Sequence, residues 1–205
     1  MTGLRAKQKA NRTERILAAA TDLFRTMGYD AVRIEDIAEA AEVSVGTFYN
    51  YFQTKGDILV AIVSVEVEEV LLAGAAVVAN PPPTVRAALN RLAEVYFDHS
   101  VVHLSKEMWR TAMALSILNP DTPFSRHYSD LDGLLRDQMC CFIAALQRFG
   151  TARPDLDATA LGEALFNNLN MMFIEYIKSE MPLTSLKDTV ARQNAPLARL
   201  ISVGS

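Results

Sequence analysis

Apolar and polar positions along this chain alternate at helical spacing almost throughout. Ile16, Leu17, Ala20, Leu23, Phe24 and Met27 form one stripe, which predicts a helix over about Asn11–Met27. Asn11 followed by Glu14 reads as its capping box and Gly28 as its stop. Ile34, Ile37, Ala38 and Ala41 recur at i, i+3, i+4 and i+7, which predicts a second helix over Ile34–Ala41. A third follows from about Val45 to Tyr51, with Ser44 as N-cap. It turns Phe48 and Tyr51 or Phe52 inward and carries Thr47, Tyr49 and Asn50 outward. Thr54, with Asp57 three positions on, caps a fourth helix that reaches about Val78 and stops at Asn80-Pro81-Pro82-Pro83.

Five further helices are expected over about Thr84–Ser100, Leu104–Leu118, Phe124–Phe149, Leu156–Glu180 and Leu183–Ile201, the last interrupted at Pro196. The breaks are Asn119-Pro120-Asp121-Thr122-Pro123, the stretch from Gly150 to Pro154, and Pro182. Long β-branched alternations and internal repeats are absent, so the expected fold class is all-α. Half of the residues are apolar, enough for a sizeable core. No apolar run reaches the ~18 residues of a membrane span. The N-terminus is basic without an apolar stretch behind it, unlike a secretory signal. These features together predict a cytoplasmic protein that does not engage membranes.

A net charge of −4 argues against a nucleic-acid partner until its distribution is considered. Residues 1–15 carry Arg5, Lys7, Lys9, Arg12 and Arg15 against Glu14, a local balance of +4. Residues 57–205 carry 12 basic and 17 acidic side chains, or −5. Phosphate binding follows local charge, so a basic head on an acidic body remains compatible with DNA. The alternative is that residues 1–10 are only a solvated basic arm.

Two short helices meeting at a tight turn, the second presenting short polar side chains from its first turns, make the shape that enters a DNA major groove. The flanking sequence extends this pattern. The stretch TERILAAATDLFRTMGYDAVRIEDIAEAAEVSVGTFYNYFQTKGDIL, Thr13 to Leu59, resembles the N-terminal DNA-binding domain of the TetR family of bacterial transcriptional regulators. The match is carried by Ile16, Leu17, Ala20, Leu23, Phe24, Gly28, Tyr29, Asp36, Ile37, Ala38, Ala41, Val43, Ser44, Gly46, Thr47, Tyr49, Tyr51, Phe52 and Lys55. The resemblance implies an N-terminal three-helix helix-turn-helix domain over residues 1–56 and a larger helical effector-binding and dimerisation domain over 57–205. It also implies a homodimer on a palindromic double-stranded DNA operator, most simply a repressor released by a small molecule.

The residues expected at DNA each suit the task. Thr47 offers a hydroxyl and a methyl to a base edge, and Tyr49 and Asn50 suit phosphate. Gly46 removes a side chain where the helix approaches the groove. Ser44 caps the helix and reaches phosphate, and Lys55 adds a cation at the start of the fourth helix. By resemblance, Ser44, Val45, Gly46, Thr47, Tyr49, Asn50 and Lys55 fall on DNA-contacting or supporting positions. Three residues depart from the family pattern. Val45 stands where Lys or Arg is frequent, which makes readout there apolar. Arg33 replaces a capping Thr or Ser, at a cost of about 0.5–2 kcal/mol, but brings a cation toward phosphate. Glu42 replaces a turn Gly and is strained if its backbone is left-handed.

The remaining helices are more apolar than a single buried face requires; Met139 to Leu146 are apolar without interruption. Taken singly, each is ordinary core. As a set under this resemblance, His103, Trp109, Met113, Phe124, Tyr128, Phe142 and Asn170 imply a pocket for a small hydrophobic effector. On Leu156–Glu180, the stripe of Leu165, Leu169, Met172 and Tyr176 is expected at the dimer interface. Cys140 and Cys141 are adjacent and cannot pair with each other without severe strain; they read as small core residues, with a redox-sensing pair as the alternative. His99 and His103 lack a third ligand, so no metal is expected, and no cofactor is. No nucleophile elbow, Gly-rich phosphate loop or paired catalytic carboxylates appear, so the chain is not expected to be an enzyme. A rival reading keeps the DNA-binding head but has the C-terminal domain bind a protein, as an adaptor.

Overall fold

A computed structural model describes residues 2–204, with side chains from residue 6 onward; the side chain of Arg5 therefore lies outside the described residues. Among them run α1 (Thr2–Met27), α2 (Ile34–Ala40), α3 (Val45–Tyr49), α4 (Lys55–Ala79), α5 (Val85–His99), α6 (Lys106–Leu118), α7 (Pro123–Arg148), α8 (Ala158–Lys178) and α9 (Leu183–Ile201). The only β pairing among the described residues is an isolated bridge between Ala152 and Ser202. The fold is all-α.

The local signals act mostly as expected. At the start of α4 the Thr54 hydroxyl accepts from the Asp57 amide at 3.1 Å, and the Asp57 carboxylate accepts from the Thr54 amide at 2.9 Å. Ser44 caps α3, Thr84 α5, Ser105 α6 and Asp157 α8 through their side-chain oxygens. Pro123 opens α7, where its missing N–H is no loss. Pro196 does not interrupt α9, and its ring lies on the exposed side.

One boundary is corrected. Helix α1 begins at Thr2 and passes through Asn11, so the expected Asn11–Glu14 cap does not exist. Residues 4–10 are helix formers without Pro or Gly, and their propensity carries the helix through a pattern that marks a cap only after a non-helical segment. The basic segment thus continues α1 as helix.

The chain divides into two compact units. One holds residues up to Val65 together with His103–Tyr128; the other holds Glu66–Val102 and the residues from Ser129 onward. This differs from a boundary at residue 56, since the first unit also takes in α6 and the start of α7. The core of the first unit contains Ile16, Ala20, Phe24, Ile37, Phe48, Ile58 and Leu59, all essentially inaccessible. Here the Ser64 hydroxyl and His127 Nε2 lie 2.8 Å apart and tie α4 to α7.

In the second unit, α9 packs along α5 and against α8. Phe97 stacks on Phe173 at 6.4 Å, and Asn194 donates to Asn90 at 3.0 Å across the α5–α9 contact. Gln138 accepts from the Tyr96 hydroxyl at 2.9 Å and donates to the Leu71 carbonyl at 2.7 Å, which binds α7 to α5 and α4. The cysteines depart from the expected core position. Cys140 is half-buried with Sγ 3.5 Å from the Thr159 carbonyl, and Cys141 is exposed. Burial, the largest cause, pushes the Cys140 thiol pKa up, with Glu163 and Asp137 adding to it.

Candidate nucleic-acid interface

Helices α2 and α3 meet at the turn Ala41–Ser44. Its hinge is Glu42, whose φ of 51° places a non-glycine residue in the left-handed region. Arg15 of α1 steadies it by donating to the Ala41 carbonyl at 2.5 Å and pairing with the Glu42 carboxylate at 2.8 Å. Phe48 is fully buried and holds α3 to the core. This anchoring turns the other face of the short helix outward: Ser44, Gly46, Tyr49 and Asn50 are exposed, and Val45 and Thr47 partly so.

Ser44 and Thr47 act as one polar unit. The Ser44 hydroxyl accepts from the Thr47 amide at 3.0 Å and shares a hydrogen bond with the Thr47 hydroxyl at 2.8 Å. The Tyr49 ring meets Phe48 edge-on at 5.6 Å and is 43% exposed, so its hydroxyl is carried outward on a braced ring. Asn50 ends α3 rather than lying within it. A Cβ added at Gly46 would meet nothing closer than the Ser44 hydroxyl at 3.9 Å. The protein's own packing therefore gives no reason for a glycine there.

Two expected phosphate contacts are placed differently. Arg33 folds its guanidinium onto Asp36 at 3.1 Å, while its backbone N–H donates to the same carboxylate at 2.9 Å. The hydrogen bond from Arg33 holds the Asp36 carboxyl below the usual carboxylate range. Half of a capping box thus survives the loss of a capping side chain at position 33. Lys55 does not project outward: its ammonium donates to the carbonyls of Tyr29, Asp30 and Val32 at 2.8, 3.2 and 2.9 Å.

The expected effector residues divide between the units. His103, Trp109, Met113, Phe124 and Tyr128 belong to the first, and Phe142 and Asn170 to the second. Trp109, Phe124 and Phe142 are buried, and Phe124 stacks on Tyr128 at 6.4 Å. Two open grooves share only His103 with this set. One of about 870 Å³ lies along α1 and α4 with Leu17, Ala18, Ile62, Val65 and His103; one of about 570 Å³ lies between α4 and α7 with Ala75, Val78, Cys141 and Phe149. The expected dimer stripe needs correction. Leu165, Leu169 and Tyr176 are buried within the single chain, and the Met172 sulfur accepts from Gln193 of α9 at 3.4 Å. The side of α8 left exposed carries Ala160, Glu163, Ala164, Asn167 and Met171, followed by the ion-paired Glu175 and Lys178.

Residues 16–62 match the model of the bacterial regulatory proteins of the tetR family. Over this segment the chain is similar to the tetR family. Over 79 residues it is 38% identical to the transcriptional repressor KstR of Rhodococcus jostii RHA1, covering 38% of this chain and 35% of that protein. The chain thus spans about a third of the length of the curated relatives it matches. A tetR-family transcriptional regulator from Pectobacterium atrosepticum has the same fold, with a TM-score of 0.74 over 97% of each chain at 20% identity. A regulator structure from Saccharomonospora viridis, in complex with choline, aligns at a TM-score of 0.68 over 95% of this chain and 98% of that one at 24% identity. At these identities the likeness is one of fold. The tetR-family proteins it resembles are transcriptional regulators rather than enzymes.

Arg15 was expected only as part of the basic head, and Glu107, which accepts from the Tyr29 amide at 3.2 Å, was not singled out from sequence. Both act through contacts spanning 26 residues or more, and no local pattern announces such contacts.

Proposed function

We propose that this chain is a DNA-binding transcriptional regulator that acts as a homodimeric repressor on a palindromic operator and is released by a small hydrophobic effector. The observation that carries the first part is the outward face of α3. There a braced Tyr49, the Ser44–Thr47 hydroxyl pair and an uncrowded Gly46 stand together on a helix anchored by Phe48. Hydroxyls and an aromatic O–H suit phosphate and base edges, and a side-chain-free helix face suits close groove approach. Two such helices in a dimer engage half-sites roughly 34–36 Å apart.

The dimer reading rests on α8. Its exposed stripe of Ala160, Ala164, Asn167 and Met171 at i, i+4, i+7 and i+11 suits close helix packing, and Leu200 of α9 is 68% exposed. The effector reading rests on the buried aromatic residues Trp109 and Phe124 of the first unit, which suit an apolar ligand. A ligand favouring one spacing of the two α3 helices shifts occupancy by its differential affinity.

Selection of genomic fragments by the purified protein, followed by footprinting, tests the central claim. A protected inverted repeat with half-sites one helical turn apart is the expected result. Failure to select any sequence over random duplex overturns sequence-specific regulation.

A further inference from the structure

The turn between α1 and α2 is gripped from two sides within the first unit. From α4, the Lys55 ammonium reaches three backbone carbonyls, those of Tyr29, Asp30 and Val32, and stands 4.7 Å from the centre of the Tyr29 ring. An ammonium has three N–H donors, so this set accounts for all of them. From the start of α6, Glu107 Oε1 accepts from the Tyr29 amide at 3.2 Å. The same oxygen lies 2.9 Å from where a Cβ on Gly28 would stand, so the carboxylate is seated directly on the turn.

The carbonyls that Lys55 collects follow the end of α1, and those of Tyr29 and Asp30 have no partner within a helix there. A compact cation with donors radiating from one point suits three converging carbonyls. A planar guanidinium does not, because its donors lie in one plane. Burial raises the Tyr29 phenol pKa to about 12, consistent with a ring packed under the clamp.

We propose that Lys55 and Glu107 are positioning residues of the DNA interface: together they clamp the turn Gly28–Val32 that leads into α2, and neither touches DNA. The clamp gives α6 a direct mechanical hold on the helix-turn-helix, separate from any tilt of α4. This rests on the DNA-binding reading above, but the clamp itself is testable on the DNA-free protein.

The test compares Lys55→Met, Lys55→Arg, Glu107→Ala and Glu107→Gln with the wild-type chain. Three quantities are measured: thermal midpoint, hydrogen exchange at the Tyr29 amide, and the salt dependence of binding to a random-sequence duplex. The clamp predicts a lower midpoint for Lys55→Met that Lys55→Arg does not restore, with the slope of log affinity against log salt unchanged. It also predicts about tenfold faster Tyr29 exchange in Glu107→Ala, largely restored by Glu107→Gln, which keeps an acceptor oxygen. Lys55→Met with an unchanged midpoint and a salt slope reduced by about one would make Lys55 a phosphate ligand and overturn the proposal. Unchanged Tyr29 exchange in Glu107→Ala overturns it too, even if Lys55→Met fails to fold. If no form, wild type included, binds duplex, the DNA-binding reading falls while the exchange and stability measurements still decide the clamp.

Discussion

Gly162 of α8 lies against the backbone of Cys140 in α7, so closely that a Cβ at position 162 would stand 2.5 Å from the Cys140 Cα and 2.8 Å from its amide nitrogen. The obstacle is main chain, and no rotamer change relieves it. An alanine in a helix ordinarily gains about 1 kcal/mol over glycine, but here the two helices must separate to admit it. Gly162→Ala is expected to lower unfolding free energy by about 2 kcal/mol or more, read by urea denaturation. A variant as stable as wild type would mean that α7 and α8 are not in this close contact.

Gly46 presents the opposite case. The free protein has room for a side chain there, since the nearest atom to an added Cβ is 3.9 Å away. Gly46→Ala should therefore raise stability by about 0.5–1 kcal/mol, the ordinary helical gain. It should nevertheless weaken operator binding, because the added methyl faces the groove. The two measurements must move in opposite directions. If the operator affinity is unchanged, α3 does not approach DNA through this face.

At Glu42 the left-handed backbone and the Arg15 pair act against each other. Left-handed strain in a non-glycine residue is roughly 1–2 kcal/mol. The ion pair is largely exposed and contributes about 0–1 kcal/mol. Glycine relieves the strain but loses some of the gain to unfolded-state freedom. Glu42→Gly is thus expected to stabilise by about 0.5 kcal/mol, while Glu42→Val, β-branched, should destabilise by about 1 kcal/mol or more. A valine variant that melts with wild type would show that the turn adapts without strain.

Periodicity and capping made most helices legible because those signals are local. The Thr54–Asp57 pair and the Ser44 cap were readable as written. The start of α1 was not, since Asn11 and Glu14 imitate a cap inside a segment that propensity keeps helical. The outward set on α3 was legible through spacing and resemblance together. Side-chain destinations were not: an ammonium at position 55 reads as a phosphate ligand until the carbonyls of Tyr29, Asp30 and Val32 are seen around it. On α8, the apolar stripe of Leu165, Leu169, Met172 and Tyr176 marked a packed face without saying whether the chain itself or a partner covers it.

That ambiguity gives the sharpest contrast for the proposed dimer. Leu169 is 6% exposed and Met171, two positions on, 55%. An arginine at 169 would bury an unpaired charge inside the single chain, which is strongly destabilising. An arginine at 171 can reach solvent in the monomer, but is covered in a dimer built on Ala160, Ala164, Asn167 and Met171. Leu169→Arg is therefore expected to lose cooperative unfolding. Met171→Arg should keep the helical content of wild type but sediment as a monomer at micromolar concentration, with weaker operator binding because the two α3 helices are no longer joined. If Met171→Arg remains a dimer, the exposed stripe of α8 is not the interface, and the association must use another face such as that of Leu200.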